Sequence, residues 1–203
     1  MKISKTKSCA YWQYLKKQLE NDIENKDLWK EAYELFLERI DTRYLDYTKI
    51  INKHGKNEGE GFAIMTLYCS LIEFLETTYQ GRNFKNKRKE DLKKYEYGLG
   101  VSKSLYISFL TKRKPFLLDK KIAIKFYGNV RCGLLHEAQT TGGWKIRVDN
   151  PELITENKKG YILNHHIFKK KISQYLILYK NNLLNNTELK HAFIRKFDGI
   201  CEN

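Results

Sequence analysis

Arg131 and His136 stand five residues apart in a stretch with helical periodicity, and theirs are the side chains hardest to place in an ordinary core. On a wheel of ~100° per residue centred on Arg131, Ile124, Tyr127, Leu135 and Ala138 all fall within about 40° of it. Leu134 and Val130 widen the same apolar arc. An unpaired guanidinium in such a sector is costly, so Arg131 must meet an anion, a cluster of carbonyls or a solvent-filled cleft. His136 falls ~140° away, in a narrow polar sector with Lys125, Asn129, Cys132 and Gln139. An imidazole gives and takes protons near neutral pH. A guanidinium grips two phosphate oxygens as a fork and does not deprotonate. The pair also has a structural reading, in which the arginine meets a buried carboxylate and the histidine bonds a carbonyl. Glu73 is the candidate carboxylate, a charge inside the otherwise apolar segment 62–79.

The run Val130-Arg131-Cys132-Gly133-Leu134-Leu135-His136 resembles the Arg-x4–6-His motif of the HEPN superfamily (higher eukaryotes and prokaryotes nucleotide-binding domain). The resemblance covers the motif and the order of helices. It implies an antiparallel helical bundle and a homodimer in which the motif helices face each other. It further implies a metal-independent endoribonuclease, with a role in toxin–antitoxin systems or phage defence and an antitoxin or defence partner protein. Arg131 would hold phosphate and His136 would be the acid and base; Glu73, read from its place in the apolar segment rather than from the resemblance, would orient the arginine. Cys132 stands where the family usually carries a polar residue such as Asn, Asp or His. A catalytically silent module that binds RNA, a nucleotide or a protein is the alternative. The offset of ~140° presents the pair poorly to one phosphate from a single straight helix, and two facing helices remove that difficulty.

Binding follows from charge. Lys and Arg total 38 against 24 Asp and Glu, a net charge of +14 that favours a polyanion, RNA ahead of membrane or acidic protein. Simple solubility is the competing explanation. The basic candidates are Arg82, Lys85, Lys87, Arg88 and Lys89 in one segment, and Lys112 and Arg113 in another. Either set is also read as a solvated face. Trp144, directly after a Gly-Gly turn, is the candidate for base stacking, or else it packs a strand onto the helices. No metal site and no cofactor are expected: His165 and His166 are adjacent, with no Asp or Glu at a useful offset, and no phosphate-loop motif occurs.

These residues need elements to hold them. Apolar residues recur at helical spacing over 9–24, 27–53, 62–79, 101–112, 119–139, 166–184 and 187–197. Glycines predict a turn over 55–61, Pro115 a stop, and Asp119 a helix cap. Trp144, Ile146 and Val148 alternate with charges, and Tyr161-Ile162-Leu163 offers a partner strand, so a two-stranded hairpin insertion is expected at about 143–164. The fold class is therefore mainly α: one HEPN-like bundle over 1–203 with a small β-hairpin.

With 203 residues, 41% of them apolar, the chain is long enough for a core without staples. The basic start lacks an apolar stretch, and the longest charge-free run, 62–72, is far short of the ~20 residues of a membrane helix. Cys9, Cys69, Cys132 and Cys201 form no C-x-x-C pair. Four cysteines permit two disulfides, but reduced thiols in a soluble cytoplasmic protein are the simpler expectation.

Overall fold

The structure is a computed structural model that describes residues 1–55 and 59–202. It is mainly helical, with two small sheets. The helices are α1 (Cys9–Asn21), α2 (Lys26–Ile40), α3 (Asp46–His54), α4 (Glu60–Gln80), α5 (Ser102–Lys112), α6 (Lys120–Phe126), α7 (Gly133–Glu137), α8 (His165–Asn185) and α9 (Thr187–Cys201). Local chemistry fixes their starts. The side chains of Ser8, Asn25, Asp119 and Asn186 each accept from backbone N–H groups of the first turn they precede, among the donors a helix leaves unpaired. α4 already begins at Glu60, within the expected turn over 55–61, of which residues 56–58 lie outside the described residues.

Two helical runs contain a widened turn with i→i+5 hydrogen bonding: Asp41–Leu45 joins α2 to α3, and Tyr127–Cys132 joins α6 to α7. The 27–53 and 119–139 helices are thus each continuous but not uniform. The second run stops at Glu137, because Ala138 adopts φ 54° and its N–H turns back to the carbonyl of Gly133.

The expected hairpin is instead a three-stranded sheet. Its strands are β3 (Trp144–Arg147), β4 (Ile154–Asn157) and β5 (Gly160–Asn164), in the order β3-β5-β4. β5 pairs β4 antiparallel through a tight turn, whereas β3 runs parallel to β5, with Trp144 opposite Tyr161. Ile154–Asn157 alternates too weakly to read as a strand; pairing with β5 makes it one. A parallel two-residue pair, β1 (Asn83–Phe84) and β2 (Glu96–Tyr97), brackets the basic residues Lys85, Lys87, Arg88 and Lys89.

The chain forms two compact units. One comprises Met1–Asp46, Phe74–Ser102 and Ile177–Asn203; the other comprises Tyr47–Glu73 and Lys103–Leu176. The first has an aromatic core in which Trp12, Phe193 and Phe197 meet, with Phe36 against Phe193, Phe197 and Tyr179. A disulfide joins Cys9 to Cys201, which corrects the expectation of four free thiols; Cys69 and Cys132 remain free. That pairing brings residues 192 positions apart together, so no local spacing announces it. In the second unit Phe168 is the centre, packed on Tyr68, Phe116 and Phe126. Among the described residues no helix is long and apolar enough to cross a membrane.

Candidate functional site

Arg131 lies in the widened turn Tyr127–Cys132, and that turn changes its surroundings. An i→i+5 ring turns the chain less per residue than the 100° of the wheel, so the apolar arc slips out of phase. The buried positions are Ala123, Phe126, Val130, Gly133 and Leu134. Ile124 is 38% exposed and Leu135 56%. Arg131 therefore sits at the border of the core, half-buried, rather than at its centre.

Its guanidinium lies over two phenol rings, 5.9 Å from the Tyr106 centroid and 5.6 Å from that of Tyr127. These two rings themselves meet edge to face at 5.3 Å. The Tyr106 hydroxyl donates to the Cys69 carbonyl, and its oxygen accepts from Arg131. Burial works against the Arg131 charge, yet Tyr106, Tyr127 and the Cys132 side chain hold the group above its ordinary value. Burial pushes the Tyr106 phenol well up, with Cys69 adding to it, and pushes the Cys69 thiol up to about 12. Both are neutral at physiological pH, so neither gives Arg131 a counter-charge. The carboxylate that acts on this cluster is Glu73, half-buried near the end of the α4 segment in this unit, whose charge is felt by Tyr106. Glu73 and Arg131 thus converge on Tyr106 from different elements.

His136 is exposed on α7 and has no hydrogen-bond or ion-pair partner among the described residues. Gly133 lies between the pair for a packing reason. A Cβ there would stand 2.5 Å from the Gln139 carbonyl oxygen, because the loop after α7 folds back onto the helix. The Thr141 N–H donates to the Asn129 carbonyl at 2.9 Å and fastens that return. Gly142, at φ 57°, makes the turn close to the Asn129 amide.

The other sequence candidates separate by burial. Trp144 is 3% exposed, stacked on Tyr161 at 4.8 Å and edge-on to Phe126 at 6.0 Å, so it packs the sheet and offers no face to a base. Arg82 is committed to structure: its Nη2 and Nε donate to the Glu96 carbonyl at 2.7 and 3.2 Å. Lys87, Arg88 and Lys89 are exposed beside it in the first unit. Lys85 lines a cleft there with Lys93, Lys94, Tyr95 and Arg195, whose guanidinium lies 4.1 Å from the Tyr95 centroid. Lys112 is exposed and Arg113 half-buried, both in the second unit.

Sequence reasoning passed over the phenols, because Tyr106 and Tyr127 read as ordinary core stripes. It also set aside His165 and His166, whose rings meet at 4.5 Å beside a cleft. Among the described residues no group of three His, Cys, Asp or Glu side chains is arranged to hold a metal ion. Compared with known proteins, the chain matches no family model, no curated protein and no solved structure.

Proposed function

We propose that the chain is a metal-independent endoribonuclease of the HEPN kind, working as a homodimer with Arg131 and His136 as its active pair. The observation that carries this reading is the half-open seat of Arg131 on Tyr106 and Tyr127, on the same helical run as His136, which has no partner among the described residues. Arg131 would hold the non-bridging oxygens of the scissile phosphate and stabilise the charge that develops on them. His136 would take the proton of the 2′-hydroxyl as that oxygen attacks phosphorus, and an imidazolium would protonate the leaving 5′-oxygen. The products are a 2′,3′-cyclic phosphate and a 5′-hydroxyl. Glu73 acts through Tyr106 as a positioning residue.

Two imidazoles are needed for the two proton transfers, and a second copy of the chain supplies the other. The exposed Ile124 and Leu135, on the same helical run as Arg131, give such a copy apolar surface to cover. The positive charge supplies the affinity for RNA. An RNA substrate places the work in the cytoplasm, in toxin–antitoxin or defence systems, with a protein partner that restrains it. The second reading, a silent RNA-binding module, is favoured by the phenols that already engage Arg131.

The test is incubation of the protein with total RNA in EDTA and mapping of cleaved ends for 2′,3′-cyclic phosphates. His136→Ala and Arg131→Ala are each expected to lose at least about a hundredfold in rate with an unchanged circular-dichroism spectrum. Cleavage by His136→Ala at the wild-type rate would reject the site.

A further inference from the structure

The three-stranded sheet has one packed face and one solvent face. Successive side chains of a strand point to opposite sides. Trp144 and Ile146 of β3 share the packed side, where Trp144 meets Phe126 and Tyr161. Lys145 and Arg147 share the other side, both exposed and ~6.6 Å apart along the strand. Ile162 of β5 is the register partner of Lys145 and is half-buried. The tight turn between β4 and β5 adds a third cation. Within it the Lys159 N–H donates to the Asn157 Oδ1 at 2.8 Å. The Lys159 carbonyl oxygen comes so near β3 that a Cβ on Gly143 would stand 2.6 Å from it, and a Cβ on Gly160 would overlap the Gly143 carbonyl oxygen. Two glycines, at φ 76° and 133°, thus let the turn press against the residue two before Lys145. Lys159, Lys145 and Arg147 thereby line one shallow cleft of about 160 Å³, together with Gly143 and Ile162.

These cations are uncommitted. Lys145 and Lys159 have no hydrogen-bond or ion-pair partner among the described residues. Arg147 pairs with Asp149 at 3.6 Å, both side chains being more than half exposed. Such a pair contributes little in water and yields to a stronger anion. Asp149 is the carboxylate that lines the cleft, so three positive charges face one negative. Glu156 belongs to the packed side, where its Oε1 accepts from the Tyr161 hydroxyl at 2.7 Å. Cations in a row along a strand suit a ligand whose own charges recur along a line. Bare peptide at Gly143 and Gly160 permits close approach, and Ile162 offers apolar contact to a sugar or base. Neither basic segment singled out by charge density, 82–89 or 112–113, contributes to this face.

We propose that the solvent face of this sheet, through Lys145, Arg147 and Lys159, holds the phosphate backbone of an extended single strand of RNA. Arg147 takes one phosphate as a fork, and the two lysines meet others as point charges. Contacts of this kind position a strand without reading its sequence. The choice of RNA over another polyanion rests on the ribonuclease reading, and the sheet lies in the same compact unit as Arg131 and His136.

The experiment is fluorescence anisotropy of a labelled 2′-O-methyl oligouridylate, titrated with the full chain over a series of salt concentrations. This strand lacks the hydroxyl that attacks phosphorus, so binding is read apart from cleavage. The triple variant Lys145→Gln/Arg147→Gln/Lys159→Gln is expected to bind at least about tenfold more weakly and to flatten the plot of log affinity against log salt by about 2, at ~0.7 per phosphate contact. Each single variant should flatten it by about a third of that. The control, Lys5→Gln/Lys17→Gln/Lys26→Gln, removes the same charge from exposed positions of the other unit and should leave the slope unchanged. Equal slopes in the two triple variants, or no saturable binding by the wild type, overturn the site. Polyglutamate bound as tightly as the oligonucleotide, and lost in the same variant, overturns RNA as its occupant. If the oligonucleotide behaves as expected while His136→Ala still cleaves RNA at the wild-type rate, the site stands and the nuclease reading falls.

Discussion

His165 shows how burial rewrites a residue whose identity the sequence gives at once. The imidazole is held at about 4 in the folded chain against an ordinary 6.5, chiefly by burial and then by His166. Between those values the unfolded chain takes up a proton that the folded chain refuses. Stability should therefore fall as pH drops from about 6.5 to about 4, by at most ~3 kcal/mol, and show no such contribution above that window. Urea unfolding at intervals from pH 7.5 to 4.5 measures it. A His165→Gln variant should have a flatter profile than wild type; parallel profiles would reject this account. Trp144 teaches the same lesson with opposite outcome. Its chemistry suits stacking on a base, but Tyr161 and Phe126 already cover it.

At the scale of elements, the widened turn Tyr127–Cys132 is what separates the expected from the observed site. A straight helix would bury Arg131 among Ile124, Tyr127 and Leu135. The wider turn hands burial to Phe126, Val130 and Leu134 and leaves Arg131 half-open on the two phenols. Gly133 then lets the loop after α7 return against the helix. Gly133→Ala places a methyl 2.5 Å from the Gln139 carbonyl oxygen, and the loop must move to accept it. The expected loss is about 1–3 kcal/mol, read from the urea midpoint. Gly128→Ala serves as the control, since a Cβ there meets nothing within 4 Å. Helix propensity alone favours alanine at both positions, so equal effects of the two substitutions would show that the loop contact costs nothing.

For the molecule as a whole, the bond between Cys9 and Cys201 ties α1 to α9 across 192 positions of chain. Other contacts join the same two helices: Trp12 Nε1 donates to Asp198 Oδ1 at 2.8 Å, and Lys16 pairs with the same carboxylate at 2.7 Å. Breaking the bond frees the unfolded chain more than the folded one. Reduction, or a Cys9→Ser/Cys201→Ser double variant, should lower stability by about 2–4 kcal/mol. Unfolding with and without dithiothreitol reads this directly, and the double variant should be indifferent to the reductant. A wild-type curve unmoved by dithiothreitol would mean that the bridge contributes nothing.

The amino-acid order alone determined the helices, because apolar periodicity and caps such as Asp119 act within a few residues. It also located Arg131, Glu73 and Tyr106 on separate helices and singled out the first two. That both act on Tyr106 was not legible, since it depends on packing between helices and on a turn whose width no periodicity encodes. The third strand, the parallel pairing of β3 and the Cys9–Cys201 bridge were equally hidden, being contacts between distant positions. Tertiary structure decided which chemically capable side chains face solvent. It covered Trp144, committed Arg82 to a carbonyl and turned His165 to a cleft, because burial and hydrogen bonding are set by neighbours that the chain brings from far away.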